Sequence, residues 1–136
     1  MIKNMKKLVV VPLERVNDVA FESDRGIVRK AFKGKYEEIK RNIFSKNTMD
    51  FYDDYAVYYS ENNKMEAIEV FGKTKVIIHG KQVFPGKIED IKLLFPNLKQ
   101  SDDGFIDKEN SVAITVDQDD DSIIGSILFG IKNYYC

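Results

Sequence analysis

Residues 50–72 read DFYDDYAVYYSENNKMEAIEVFG, and this stretch decides the fold class. From 55 to 60, Tyr55, Val57 and Tyr59 alternate with Ala56 and Tyr58, which is the period of a strand with apolar bulk on both faces. Glu61-Asn62-Asn63-Lys64 makes a turn, because asparagine tolerates positive φ. The chain returns over 65–71, where Ile68 and Val70 oppose Ala67, Glu69 and Phe71, as expected of a sheet with one wetter face. A weaker copy follows at 107–130, DKENSVAITVDQDDDSIIGSILFG, again a strand, a polar turn and a strand closing on Phe-Gly.

Each copy follows a short amphipathic segment, GIVRKAF at 26–32 and KIEDIKLLF at 87–95. Aligning the two Phe-Gly ends sets Val57-Tyr58-Tyr59 beside Ile114-Thr115-Val116, with one residue inserted in the second turn. The agreement lies in pattern more than identity. Two tandem helix-plus-meander units are one reading, and a helix followed by a meander without duplication is the other.

Working outward, the β-branched run 7–11 reads as a buried strand ended by Pro12, with a short strand at 18–22 after it. Ser23-Asp24 supplies an N-cap for a helix over 25–32, whose buried face is read as Ile27, Val28, Ala31 and Phe32, and Lys33-Gly34 ends it. Residues 36–48 fit either a second short helix or an irregular basic loop. Strands follow at 75–79 and 82–84, with the single histidine, His79, in the turn between them. Pro85-Gly86 breaks the meander before a helix over 87–95 that buries Ile88, Ile91, Leu94 and Phe95, with Glu89 and Asp90 in its first turn. Further strands are expected at 104–107, 111–116 and 123–131. The expected class is α+β, a predominantly antiparallel sheet with two short helices. It forms one domain over 1–136, with 1–84 and 85–136 as candidate half-units.

The 136 residues, 43% hydrophobic, suffice for a core without a disulfide or metal staple. The net charge of −1 provides no field to gather nucleic acid, but its distribution is uneven. Residues 101–136 hold eight acids against Lys108 and Lys132, a net −6, which leaves +5 for the remainder. A basic stretch with interleaved aromatics, Lys30, Lys33, Lys35, Tyr36, Lys40, Arg41, Phe44 and Lys46, is balanced by Glu37 and Glu38, so nucleic acid is not the expected partner.

One histidine and one cysteine, the terminal Cys136, exclude a disulfide and a thiolate metal cluster, and they leave a Ser/His/Asp or Cys/His system without support. The Asp117–Asp121 run is not an EF-hand, since Ser122 stands where that loop needs glycine and strands flank it. No cofactor, metal or catalytic residue is assigned. The apolar run after the basic start is too short for a signal peptide, and no window reaches the roughly 20 apolar residues of a membrane span. The expectation is a cytoplasmic protein without a membrane partner.

What the residues do offer is a contact set for a basic protein: the acids Asp102, Asp103, Asp117, Asp119, Asp120 and Asp121, with Tyr52 and Tyr55 beside them in a Tyr-plus-carboxylate mixture suited to specific interfaces. The layout LVVVPLERV (8–16), FESDRGIVRKAF (21–32) and DFYDDYAVYYSENNKMEAIEVFG (50–72) resembles small bacterial immunity proteins of polymorphic and contact-dependent toxin systems. Its helix-plus-meander pairing is also similar to the tandem units of β-lactamase inhibitory protein and of barrel-assembly lipoproteins. The resemblance implies a non-enzymatic protein that neutralises a cognate basic toxin domain by covering it. The alternative is a structural or regulatory adaptor that self-associates as a homodimer through an exposed strand edge at 82–84 or 111–116.

Overall fold

The computed structural model describes residues 7–40, 44 and 47–135. Thirteen strands and two helices follow one another among these residues. They are β1 (Lys7–Val11), β2 (Arg15–Val16), β3 (Val19–Ala20), α1 (Arg25–Ala31), β4 (Glu37–Lys40), β5 (Thr48–Phe51), β6 (Tyr55–Tyr59) and β7 (Met65–Phe71), then β8 (Lys75–Ile78), β9 (Lys81–Phe84), α2 (Ile88–Leu94), β10 (Lys99–Gln100), β11 (Gly104–Asp107), β12 (Val112–Val116) and β13 (Ile124–Gly130). The α+β class with a dominant antiparallel sheet and two short helices holds.

The strands make a five-stranded sheet, ordered β3-β2-β1-β8-β9, and an eight-stranded sheet, ordered β10-β11-β12-β13-β7-β6-β5-β4. The larger sheet is antiparallel throughout. The smaller contains one parallel pair, β1 with β8. Both sheets and both helices contribute to one apolar cluster, from Leu8 and Val10 through Val28 and Phe32 to Ile91, Ile127 and Phe129.

The eight-stranded sheet has an internal two-fold relation. Helix α1 leads into β4 to β7, helix α2 leads into β10 to β13, and the last strands of the two sets pair at the centre. Val57 stands opposite Ile68 as Ile114 stands opposite Ile127, and the β6–β7 and β12–β13 ladders both shift register at matching places, between Tyr58 and Tyr59 and between Thr115 and Val116. Across the central pair, Ile68 meets Phe129 and Val70 meets Ile127, so the relation passes through the pair Glu69 and Leu128. The helices dock alike: Arg25 N donates to Asn63 O, and Ile88 N donates to Ser122 O, each in the hairpin of its own unit.

This register corrects the sequence alignment of the copies. Five residues, 60–64, separate β6 from β7, and seven, 117–123, separate β12 from β13, so the second turn is longer by two residues rather than one. Phe71 therefore corresponds to Gly130, and the two Phe-Gly dipeptides are offset by one position.

The inward stripe of α1 also differs from the expected one. Ile27 is 56% exposed and Ala31 is exposed, whereas Val28 and Phe32 are buried. The stripe is Arg25, Val28, Arg29 and Phe32, which has i, i+3, i+4, i+7 spacing and carries two cations. Asp24 is the N-cap residue, yet its side chain makes no cap hydrogen bond and instead accepts from Lys64 Nζ at 2.6 Å. Residues 37–40 form a strand rather than a helix, paired from Glu37 opposite Phe51 to Lys40 opposite Thr48. Arg41 and Lys46 of the basic stretch, the start of the chain and Cys136 lie outside the described residues.

Candidate functional site

Alternation assigns the two faces of the large sheet. Asp50, Tyr55, Val57, Tyr59, Ile68, Val70, Ile114, Ile127 and Phe129 point inward and are all buried. The opposite face carries a row that the pairing follows across all eight strands: Glu37, Phe51, Ala56, Glu69, Leu128, Ala113, Ile106 and Lys99. A neighbouring row runs Phe71, Ser126, Thr115 and Gly104. Phe51, Glu69, Phe71, Ser126 and Leu128 are partly exposed and Thr115 is exposed. Phe51 and Phe71 stack with centroids 5.7 Å apart.

At the centre, Glu69 Oε1 accepts from Tyr58 Oη at 2.5 Å, and its Oε2 accepts from Ser126 Oγ at 3.3 Å. Among the described residues, no cation lies within ion-pair distance of this carboxylate. The segment after β13 folds back onto this face, where a Cβ on Gly130, on the same side of β13 as Leu128 and Ser126, would come within 2.7 Å of the Tyr134 side chain. Burial, with a contribution from the nearby Glu69 charge, pushes the Tyr135 phenol up.

The acids predicted to meet a partner converge. Asp102, Asp103, Asp117 and Asp121 line one depression together with Gly104, Phe105 and Thr115. Asp119 and Asp120 lie in the same hairpin, organised by Asp119 N donating to Asp117 Oδ2 at 3.0 Å and by Ser122 N and Oγ donating to Asp120 Oδ1 at 3.0 and 2.6 Å. The Ser122 hydrogen bonds hold the Asp120 carboxyl below the usual carboxylate range. Among the described residues, no group of three His, Cys, Asp or Glu side chains is arranged to hold a metal ion.

Tyr52 and Tyr55 require correction. They are 1% and 2% exposed, stacked on each other at 4.8 Å, and both meet the Phe32 ring edge-on. They hold the end of α1 against the sheet and present no surface to a partner. Burial pushes both phenols up, Tyr55 to about 12. The tyrosine of this stretch that reaches the outer face is Tyr58.

Between α1 and the large sheet lies a charge cluster that no local pattern announces. Arg29 donates to Asp50 through Nε at 2.8 Å and Nη2 at 2.7 Å, and its Nη2 also reaches Glu38 at 2.9 Å. Tyr59 Oη donates to the same fully buried carboxylate at 3.0 Å. Arg25 lies over the Tyr59 ring at 3.9 Å, with Nη1 3.4 Å from Glu38 and 3.7 Å from Asp50. The hydrogen bonds from Arg29 and Thr48 hold the Glu38 carboxyl below its usual range. Arginines four apart with Val28 and Phe32 between and beyond them were the available signal, but a periodicity count reads such positions as solvent face.

The arrangement offers binding chemistry: an outward face with a carboxylate at its centre and a cluster of carboxylates at one end. No protein family, curated protein or solved structure matched the chain.

Proposed function

We propose that this is a protein-binding domain that neutralises a cognate basic toxin domain by direct contact and performs no catalysis. The reading rests on the convergence of Asp102, Asp103, Asp117 and Asp121 around one depression. The equivalent hairpin of the first unit carries Asn62 and Asn63 and lies beside Arg25. The two-fold relation of the sheet therefore presents one acidic end and one mixed end. Exposed acids clustered in this way accelerate encounter with a basic partner and set specificity more than they add affinity.

The test pairs the chain with the product of the gene directly upstream of its own. Expression of that product arrests growth, and co-expression of the chain relieves the arrest. Replacing Asp117, Asp119, Asp120 and Asp121 by Asn weakens relief and slows association at low salt, while association of the unmodified chain slows as salt rises. An upstream product that arrests nothing, or arrest that the chain does not relieve, overturns the reading.

The adaptor alternative retains one supporting feature, since β9 is an edge strand of the five-stranded sheet. Its other candidate edge, 111–116, is lost, because β12 is paired on both sides by β11 and β13. Sedimentation across a range of concentrations separates the two readings, for an adaptor of this kind is a homodimer.

A further inference from the structure

We infer that the outward face of the eight-stranded sheet is where the basic partner docks, and that it takes an arginine side chain of that partner onto Glu69. The inference rests on the protein-binding reading above and adds the surface and the chemistry of the anchor.

Three observations carry it. Glu69 sits at the centre of the sheet, on the pair through which the two units are related, so both halves of the face surround it. Its two oxygens each accept one hydroxyl hydrogen bond, from Tyr58 and from Ser126. A carboxylate so held retains acceptor capacity on both oxygens, and the two hydroxyl donors fix its orientation. Among the described residues no cation answers its charge, although it stands among apolar and aromatic side chains.

Arginine suits this place better than lysine. Its planar fork matches a carboxylate with two open acceptor sites, and its guanidinium plane stacks on aromatic rings. Phe71 lies two positions along the same strand face from Glu69 and is stacked with Phe51.

Charge complementarity extends beyond the anchor. The turns after β5, β10 and β12 all fall at one end of the sheet, which places Asp53 and Asp54, Asp102 and Asp103, and the Asp117–Asp121 hairpin along the border next to Phe71, Ser126, Thr115 and Gly104. Asp54 is tied to this border directly, since Phe71 N donates to its carbonyl at 2.9 Å. A basic partner seated on the face thus meets acids at that end and a single acid at the centre.

The experiment works without the natural partner in hand. A display library of random twelve-residue peptides is selected on the intact chain, and the best binder is measured by calorimetry. The binder is expected to contain an essential arginine. Glu69→Gln in the protein and Arg→Gln in the peptide each weaken binding roughly tenfold to a hundredfold, the range for a hydrogen bond to a charged group, and the two losses are not additive. Thr115→Arg, at an exposed position on the same face, also weakens it, and a thermal melt of each variant verifies folding.

Binders that ignore Glu69, or losses that simply add, overturn the inference. If those binders instead weaken when the four hairpin aspartates are replaced by Asn, the toxin-binding reading stands and only the docking surface falls. Binders without a cationic residue remove both. A concentration-dependent dimer abolished by Thr115→Arg makes a second copy the occupant and also overturns the inference.

Discussion

Arg29 grips Asp50 with two hydrogen bonds, of 2.8 and 2.7 Å, where the two-fold related unit sets Lys92 over the ring of Phe105 at 4.1 Å. The helices occupy equivalent positions in the two units, but one contact is an ion pair to a fully buried carboxylate and the other a cation on an aromatic face. A charge buried with its partner is costly to orphan, whereas an exposed cation–π contact contributes little. Arg29→Ala, which strips the fully buried Asp50 carboxylate of its two-point partner, is therefore expected to destabilise the fold by about 3–5 kcal/mol, and Lys92→Ala by less than about 1 kcal/mol. Urea denaturation curves compared at constant slope measure both, and equal losses would contradict the assigned roles.

High pH supplies a second test. The pKa of Tyr55 is raised by burial to about 12, and burial pushes Tyr52 and Tyr59 up as well. In the unfolded chain these phenols ionise near the ordinary tyrosine value of about 10. The folded state binds their protons more tightly, so their contribution to stability is complete below that value and is lost as pH rises through the folded-state values. Unfolding midpoints should hold up to about pH 10 and then fall, with tyrosinate absorbance appearing together with the loss of structure. Tyrosinate signal from all seven tyrosines in a still folded protein would contradict this.

Thr74 is fully buried, and its hydroxyl has no hydrogen-bond partner among the described residues. Valine has nearly the same shape and removes an unsatisfied polar group. Thr74→Val is expected to stabilise the chain by about 1 kcal/mol, read as a shift of the denaturation midpoint. Destabilisation would mean that the hydroxyl is satisfied in solution.

Two glycines should answer alanine in opposite directions. Gly26 lies in α1 with nothing near its missing Cβ, so Gly26→Ala gains roughly 0.5–1 kcal/mol of helix propensity. Gly104 lies in β11, where a Cβ would run into the carbonyl of Ile114 on the adjacent backbone. Gly104→Ala is expected to cost roughly 1–3 kcal/mol through overpacking. Thermal melts of the two variants, measured side by side, should move apart in sign.

Much of the fold was legible in the sequence because period-two alternation and turn chemistry act locally. The bounds of β1, β7 and β11 follow from apolar runs and their flanking turns. The acids of the Asp117–Asp121 hairpin were legible for the same reason, since four carboxylates in a short polar turn have nowhere to go but solvent. Residues 37–40 were not legible as a strand, because their ladder partner Thr48–Phe51 comes later in the chain, and an isolated EEIK carries no strand period.

Tertiary structure alone decided three things. It chose which tyrosines of residues 50–72 are core, burying Tyr55 and Tyr59 and turning Tyr58 outward, because a strand with apolar bulk on both sides takes its orientation from what packs against it. It set Arg29 against the buried Asp50, a pairing between residues far apart in sequence that no local pattern announces. It brought Glu69 to the centre of the open face, since that position exists only once β7 and β13 pair. Sequence by itself determined the period-two strands, the two helices and the acidic turns; long-range strand pairing determined the register, the strand at 37–40, the partners of Asp50 and the outward position of Glu69.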